Sequence, residues 1–206
     1  MANPNVASGL APVRYMNGAP WNGAVNLYCI LAANTNAFWI GDPVTTVGSA
    51  GGDANGLPSV TLAAAGAAVR GVIVAIGTSP RGGPYINFDN LSRMYRPAGA
   101  QSIPYYIAVV DDPMVIFEIQ EAGGGSVLTT AAVNRNANFN TGSRAPAIVP
   151  TVSPTYLDNA SVAVTATLNL RILEAVPRPD NVPFTALQKW RVLINNHEFK
   201  TGTASP

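Results

Sequence analysis

Charge is the scarcest commodity in this sequence. Only 11% of its 206 residues are charged, against roughly 25% in an ordinary soluble domain. The net charge is +1, so no field of one sign advertises nucleic acid, a membrane surface or an acidic substrate. Lysine occurs only at Lys189 and Lys200. The single cysteine, Cys29, excludes an intrachain disulfide framework and a cysteine-based zinc site. The single histidine, His197, cannot supply two metal ligands. No apolar run reaches the roughly 18 residues of a transmembrane helix. Residues 1–6 lack the basic-then-apolar layout of a signal peptide, so synthesis in the cytoplasm is expected. Mean hydropathy is nevertheless slightly positive, at +0.18. So uncharged a surface implies that part of it is covered, which favours a component of an assembly over an enzyme.

What is present points to strands. Gly (19) and Pro (17) are plentiful, and Ala, Val, Thr and Asn fill much of the rest. Turn residues in such number, with few helix formers, predict a mainly β fold with long loops. The length suits one domain with its own core. Residues 1–24 read as an extended arm, broken by Pro4, Gly9, Pro12, Gly18, Pro20 and Gly23. The arm still carries Leu10, Val13, Tyr15, Met16 and Trp21, so a surface is expected to hold it. Residues 25–200 read as a single β-rich domain, and 201–206 as a tail.

Strands are expected over 25–31, 37–40, 44–47, 59–63 and 69–76, the last central because both its faces are apolar. The stretches 105–110 and 114–120 read as a hairpin joined by Asp111-Asp112-Pro113, with Val115, Phe117 and Ile119 on one face. Gly48–Gly56 and Gly77–Pro84 read as flexible loops, and Gly123-Gly124-Gly125 as a hinge. Residues 127–133 fit a strand or a helical turn. Residues 134–160 run as a long irregular loop, a length that implies function or packing on a partner. Period-two alternation over 162–172 predicts a long strand, and Trp190, Val192 and Ile194 mark a last one before an exposed polar tail. The pattern is that of an antiparallel β-sandwich or a β-barrel-like domain.

The search for chemistry returns little. His197 reads as a surface residue, with no Gly-x-Ser-x-Gly elbow to pair with it. Asp111, Asp112, Glu118 and Glu121 would flank the hairpin, but the Asp-Asp-Pro turn explains the first two. The glycine-rich runs lack the Gly-Lys-Ser/Thr ending of a phosphate loop. Arg93, Tyr95 and Arg96 form the densest basic spot, too thin for a nucleic-acid stripe. Cys29, Trp39 and Trp190 read as core residues. Trp21 is the best candidate anchor in a partner's pocket. No residue is assigned to catalysis, to a cofactor or to a metal.

Several segments together resemble a known family. They are Gly9–Tyr15 and Asn17–Gly23, Ile40–Val44, Ala63–Gly66 leading to Arg70–Val74, and Tyr95-Arg96-Pro97. Val110–Pro113, Phe117–Glu121, Leu168–Leu173, Arg178–Asn181 and Trp190–Asn196 extend the likeness over most of the chain. They are similar to the head decoration, or capsid cement, proteins of tailed bacteriophages. The resemblance implies a β-rich, often oligomeric protein on the outer capsid surface that bridges neighbouring subunits of the major capsid protein. It brings no catalytic residues.

The expectation is thus a non-enzymatic virion protein, made in the host cytoplasm, with Val13, Arg14, Tyr15 and Trp21 as capsid contacts. Its partners would be the major capsid protein and further copies of itself, with neither nucleic acid nor membrane. Deleting residues 1–23 would leave a folded domain that no longer binds heads. Two rivals remain. A virion-displayed module for host surfaces or glycans would need an exposed aromatic platform, for which the 134–160 loop offers Phe139 and Tyr156. A carboxylate-based hydrolase would need two close acids, such as Asp112 and Glu118.

Overall fold

The structure, a computed structural model, describes residues 3–47, 52–53, 56–77, 94–144 and 152–206. The Gly48–Gly56 loop in part, nearly all of Gly77–Pro84, and Arg93 lie outside the described residues. The chain is mainly β, with antiparallel sheets packed on one another as a sandwich.

Fourteen strands run through the described residues. The first five-stranded sheet has the order β1-β9-β14-β13-β10. It is built from β1 (Ala11–Tyr15), β9 (Val115–Gln120), β14 (Lys189–Ile194), β13 (Leu170–Ala175) and β10 (Asn136–Ala137). The second has the order β2-β8-β6-β4-β5. Its strands are β2 (Asn26–Ile30), β8 (Tyr105–Val110), β6 (Gly71–Gly77), β4 (Pro43–Thr46) and β5 (Val60–Leu62). Two short pairs complete the set: β3 (Phe38–Trp39) with β7 (Tyr95–Arg96), and β11 (Phe139–Asn140) with β12 (Tyr156–Leu157).

Strand alternation builds two cores. Val115, Phe117 and Ile119 of β9 meet Trp190, Val192 and Ile194 of β14 on the inner face of the first sheet. Val72 of β6 and Val110 of β8 close that core from the second sheet. The opposite face of β8, Tyr105, Ile107 and Val109, enters a second core with Ile73, Ile76, Val44 and Phe38. Period two sends neighbours to opposite faces, so β8 is buried along its whole length. A bulge between Ile73 and Ala75 lets Ile73 and Ile76 share a face. β6 lies at the centre of its sheet, as its two apolar faces predicted. The second sheet curls until Cys29 and Ser59 meet in a single parallel bridge, and no closed barrel forms among the described residues.

Four expectations are corrected. Strands 105–110 and 115–120 exist but do not pair with each other: β8 lies in the second sheet and β9 in the first. β8, buried on both faces, lies between β2 and β6, whereas β9 lies between β1 and β14 and turns Val115, Phe117 and Ile119 into the first core. The four residues between them span up to about 13 Å when extended, enough to cross the roughly 10 Å between packed sheets.

The long strand over 162–172 begins only at Leu170. Ala163, Thr165, Ala166 and Thr167 alternate correctly but bury too little. That stretch is instead held by side-chain amides: Asn195 donates to Ala166 O and Leu168 O, and Asn136 to Thr165 O. The polar tail also turns inward. Asn195 and His197 are buried, and Ser205 N donates to Val164 O at 3.0 Å. Of the two readings of 127–133, the helical turn is observed, as a 3-10 turn over Thr130–Ala132 capped by Thr129.

The N-terminal stretch differs most from an arm. Leu10 sits in the first core, and Ala11–Tyr15 is an edge strand of the first sheet, paired with β9. Asn3 is buried, donating to Val182 O, Thr185 Oγ1 and Ala186 O. Gly9 has a φ of +69°, and a Cβ there would strike Gly41 O and Ser153 Cβ. Residues 3–15 therefore belong to the domain, and a deletion of 1–23 removes part of its core.

Candidate interaction surface

The four residues expected to contact a capsid lie together, on and beside β1. After Tyr15 the chain reverses: Tyr15 N donates to Ala19 O at 2.8 Å and Trp21 N to Val13 O at 3.1 Å. Residues 19–21 thereby cover part of the outer edge of β1, an edge that would otherwise offer unpaired backbone groups. Val13 is half-buried. Arg14 pairs with Glu174 at 3.1 Å, and Glu174 is shared with Arg191 at 2.7 Å. The Arg191 hydrogen bond, with Arg14 beside it, holds the Glu174 carboxyl below its usual range. Tyr15 is half-buried and its hydroxyl donates to Asn22 Oδ1 at 2.8 Å. Trp21 packs on the first core, and its indole N–H is buried without a partner among the described residues.

All four side chains are thus largely committed within the domain. What faces outward is the tip of the reversal. Met16 through Pro20 are exposed, and Met16 N donates to Met114 O at 2.9 Å. Met114 is itself exposed, on the connector between the sheets. Asn26 donates to both Asp111 oxygens, which brings exposed Val25 to the same end. Sequence reasoning placed Met16 in the apolar arm but passed over Met114, whose position depends on the sheet crossing.

Several ionisable groups are bonded within the fold. Asp111 accepts from Tyr28 Oη at 2.6 Å as well as from Asn26. Burial, then Asp111, pushes the Tyr28 phenol far above its ordinary range. Asp112 caps Met114 N at 2.7 Å. Glu118 pairs with Arg178 at 2.8 Å. Glu121 is buried with no cation: one oxygen accepts from Trp190 Nε1 at 3.0 Å, and the other has no partner among the described residues. Burial raises its pKa. The four acids once grouped on a hairpin thus have separate partners.

His197 is buried rather than superficial. Its Nδ1 accepts from Phe199 N at 3.0 Å, and its Nε2 finds no partner among the described residues. Burial and then nearby Arg70 lower its pKa. Next to it, desolvation would raise Glu198, but bonds from Thr45, Thr46 and Arg70 hold it below its usual range. Burial, then Asp53, pushes the Cys29 thiol up to about 11, leaving it a thiol rather than a nucleophile. Arg96 is fully buried and donates to the carbonyls of Asn34, Asn36 and Pro97, so it is no part of a basic surface. Among the described residues no group of three His, Cys, Asp or Glu side chains is placed to hold a metal.

The 134–160 segment holds one surprise of each kind. Phe139 lies in the first core, so it forms no exposed platform. Tyr156 instead lines a groove of about 440 Å³ with Asn5, Gly124, Asp158 and Asn159. No helix of the described residues is long and apolar enough to cross a membrane. No family model, curated protein or solved structure matches this chain.

Proposed function

We propose that this chain is a structural virion protein that binds the outer surface of an assembled tailed-bacteriophage capsid and stabilises it by bridging major capsid subunits. It works without catalysis or cofactor. The observation that carries the reading is the pairing of exposed Met16 and Met114 through a backbone hydrogen bond, on a reversal anchored in β1. Methionine is adaptable and apolar, suited to filling a partner's irregular surface. The reversal is fixed by backbone bonds, so little of it has to be ordered on binding.

The likeness of the N-terminal segments and of Val110–Pro113 to the decoration family supports the same end of the molecule as the contact. So does the charge composition, since permanent interfaces are depleted of charge at their centres. Binding only the assembled lattice would stabilise it by mass action, and repetition over the shell would multiply the effect. The contact shifts from these four partly buried side chains to the tip of the reversal beside them. The test is occupancy on purified mature heads. A double change, Met16→Glu with Met114→Glu, abolishes decoration while leaving the fold intact. Wild-type occupancy by that variant refutes the reading.

A further inference from the structure

The groove lined by Tyr156 lies outside the proposed capsid contact and takes part in no interaction described so far. Its walls come from the N-terminal segment (Asn5, Ala7), the end of β9 with Gly123-Gly124-Gly125, and Tyr156 to Ala160. Its volume of about 440 Å³ falls within the range of small-molecule sites.

Two kinds of observation say what it would take. The first is the inventory of groups in the wall. Gln120 is fully used, accepting from Val6 N and donating to Pro4 O and Leu187 O. The bonded oxygen of Glu121 goes to Trp190 and Gln188, neither of which lines the groove. Five polar groups of the lining residues are left without a hydrogen bond among the described residues. They are the Tyr156 hydroxyl, the Asn5 amide, one oxygen of Asp158, the Asn159 carbonyl oxygen and the buried second oxygen of Glu121. Asp158 uses its other oxygen to cap Ala160 N, and Asn159 donates its amide to Gly124 O and Ser126 O. The free set mixes donors and acceptors with one aromatic ring, and the wall contains no Lys or Arg. Such a wall cannot neutralise a phosphate or carboxylate. It matches a neutral polyol whose hydroxyls donate and accept and whose C–H face meets a ring.

The second is the glycine triplet. Gly125 has a φ of +86°, which favours glycine. A Cβ on Gly123 would press on Leu187. Gly124 has neither reason: its φ is ordinary and a Cβ there would meet nothing. A side chain at 124 would be accommodated by the fold, at a position whose backbone lines the groove.

We infer that this groove is a binding site for a neutral saccharide of a few residues. The inference does not depend on the capsid reading, because its test uses the isolated protein. A printed array of neutral and acidic glycans is probed, and maltotriose, chitotriose and mannotriose are titrated by NMR. The expected result is binding of a neutral glycan, with shifts at Tyr156, Asp158 and Gly124. Tyr156→Ala weakens it by about tenfold or more, and Gly124→Phe removes it while the melting temperature stays at the wild-type value. Met16→Glu, remote from the groove wall, leaves it unchanged. Absence of any neutral glycan from the array and the titrations overturns the inference. So does preference for acidic glycans, or undiminished binding by Gly124→Phe.

Discussion

Residues 3–25 and residues 134–160 look equally irregular in sequence, yet the fold holds them by different means. The first segment joins a sheet through its backbone: β1 pairs with β9 on one side and is covered by Ala19–Trp21 on the other. Among its described residues the second has two-residue strands and the start of a 3-10 turn, and it is held in addition by a buried charge. Asp42, fully buried in the turn before β4, receives Arg144 through two nitrogens at 2.8 Å, with Thr155 Oγ1 at 3.1 Å and Ser153 Oγ. The two segments meet at Gly9, whose Cα side faces Gly41 and Ser153. A backbone ladder tolerates side-chain change. A buried ion pair is lost as a unit when one partner goes.

That difference orders the effects of mutation. Asp42→Ala strands the Arg144 guanidinium and is expected to destabilise the fold by about 3–5 kcal/mol, measured by denaturant unfolding. Leu10→Ala, in the backbone-held segment, removes a fully buried side chain from the first core. It is expected to cost about 2–5 kcal/mol. An equal or smaller loss from Asp42→Ala than from Leu10→Ala would reverse the comparison.

Smaller effects come from two buried titratable groups of opposite sign. Glu121 binds its proton more tightly in the folded chain, so its contribution is full below the unfolded carboxyl pKa. That contribution is lost as pH rises towards the raised folded value. Glu121→Gln flattens this decline and gains stability at neutral pH. His197 titrates the other way. Its contribution is present above the unfolded value near 6.5 and is lost as pH falls towards the lowered folded pKa. His197→Gln reduces the acid-side loss in a pH series of melting temperatures. Unchanged pH profiles in both variants would remove these assignments.

Much of the architecture was legible because burial writes itself as alternation. β6, β9 and β14 follow from Val72, Phe117 and Trp190 on their apolar faces. The sheet assignment of β8 and β9 was not legible, because Asp111-Asp112-Pro113 reads equally well as a turn and as a crossing. The buried Asp42–Arg144 pair joins residues 102 positions apart, beyond any local pattern. Val13, Arg14, Tyr15 and Trp21 lie on and beside β1, but their partial burial was not legible. A residue flanked by proline and glycine looks loose until the strand that receives it is known. The groove was half visible in Tyr156 and the glycine triplet, and only the fold brings them together.

The smallest effect on stability accompanies the largest on function. Met16→Glu with Met114→Glu changes two exposed side chains and is expected to shift stability by no more than about 0.5 kcal/mol. Electron microscopy of mature heads incubated with this variant, beside wild type, tests the central claim most directly. The account predicts ordered density for the wild-type protein at a lattice site and bare heads for the variant. Equal decoration by both proteins, or wild-type heads left bare, would contradict it.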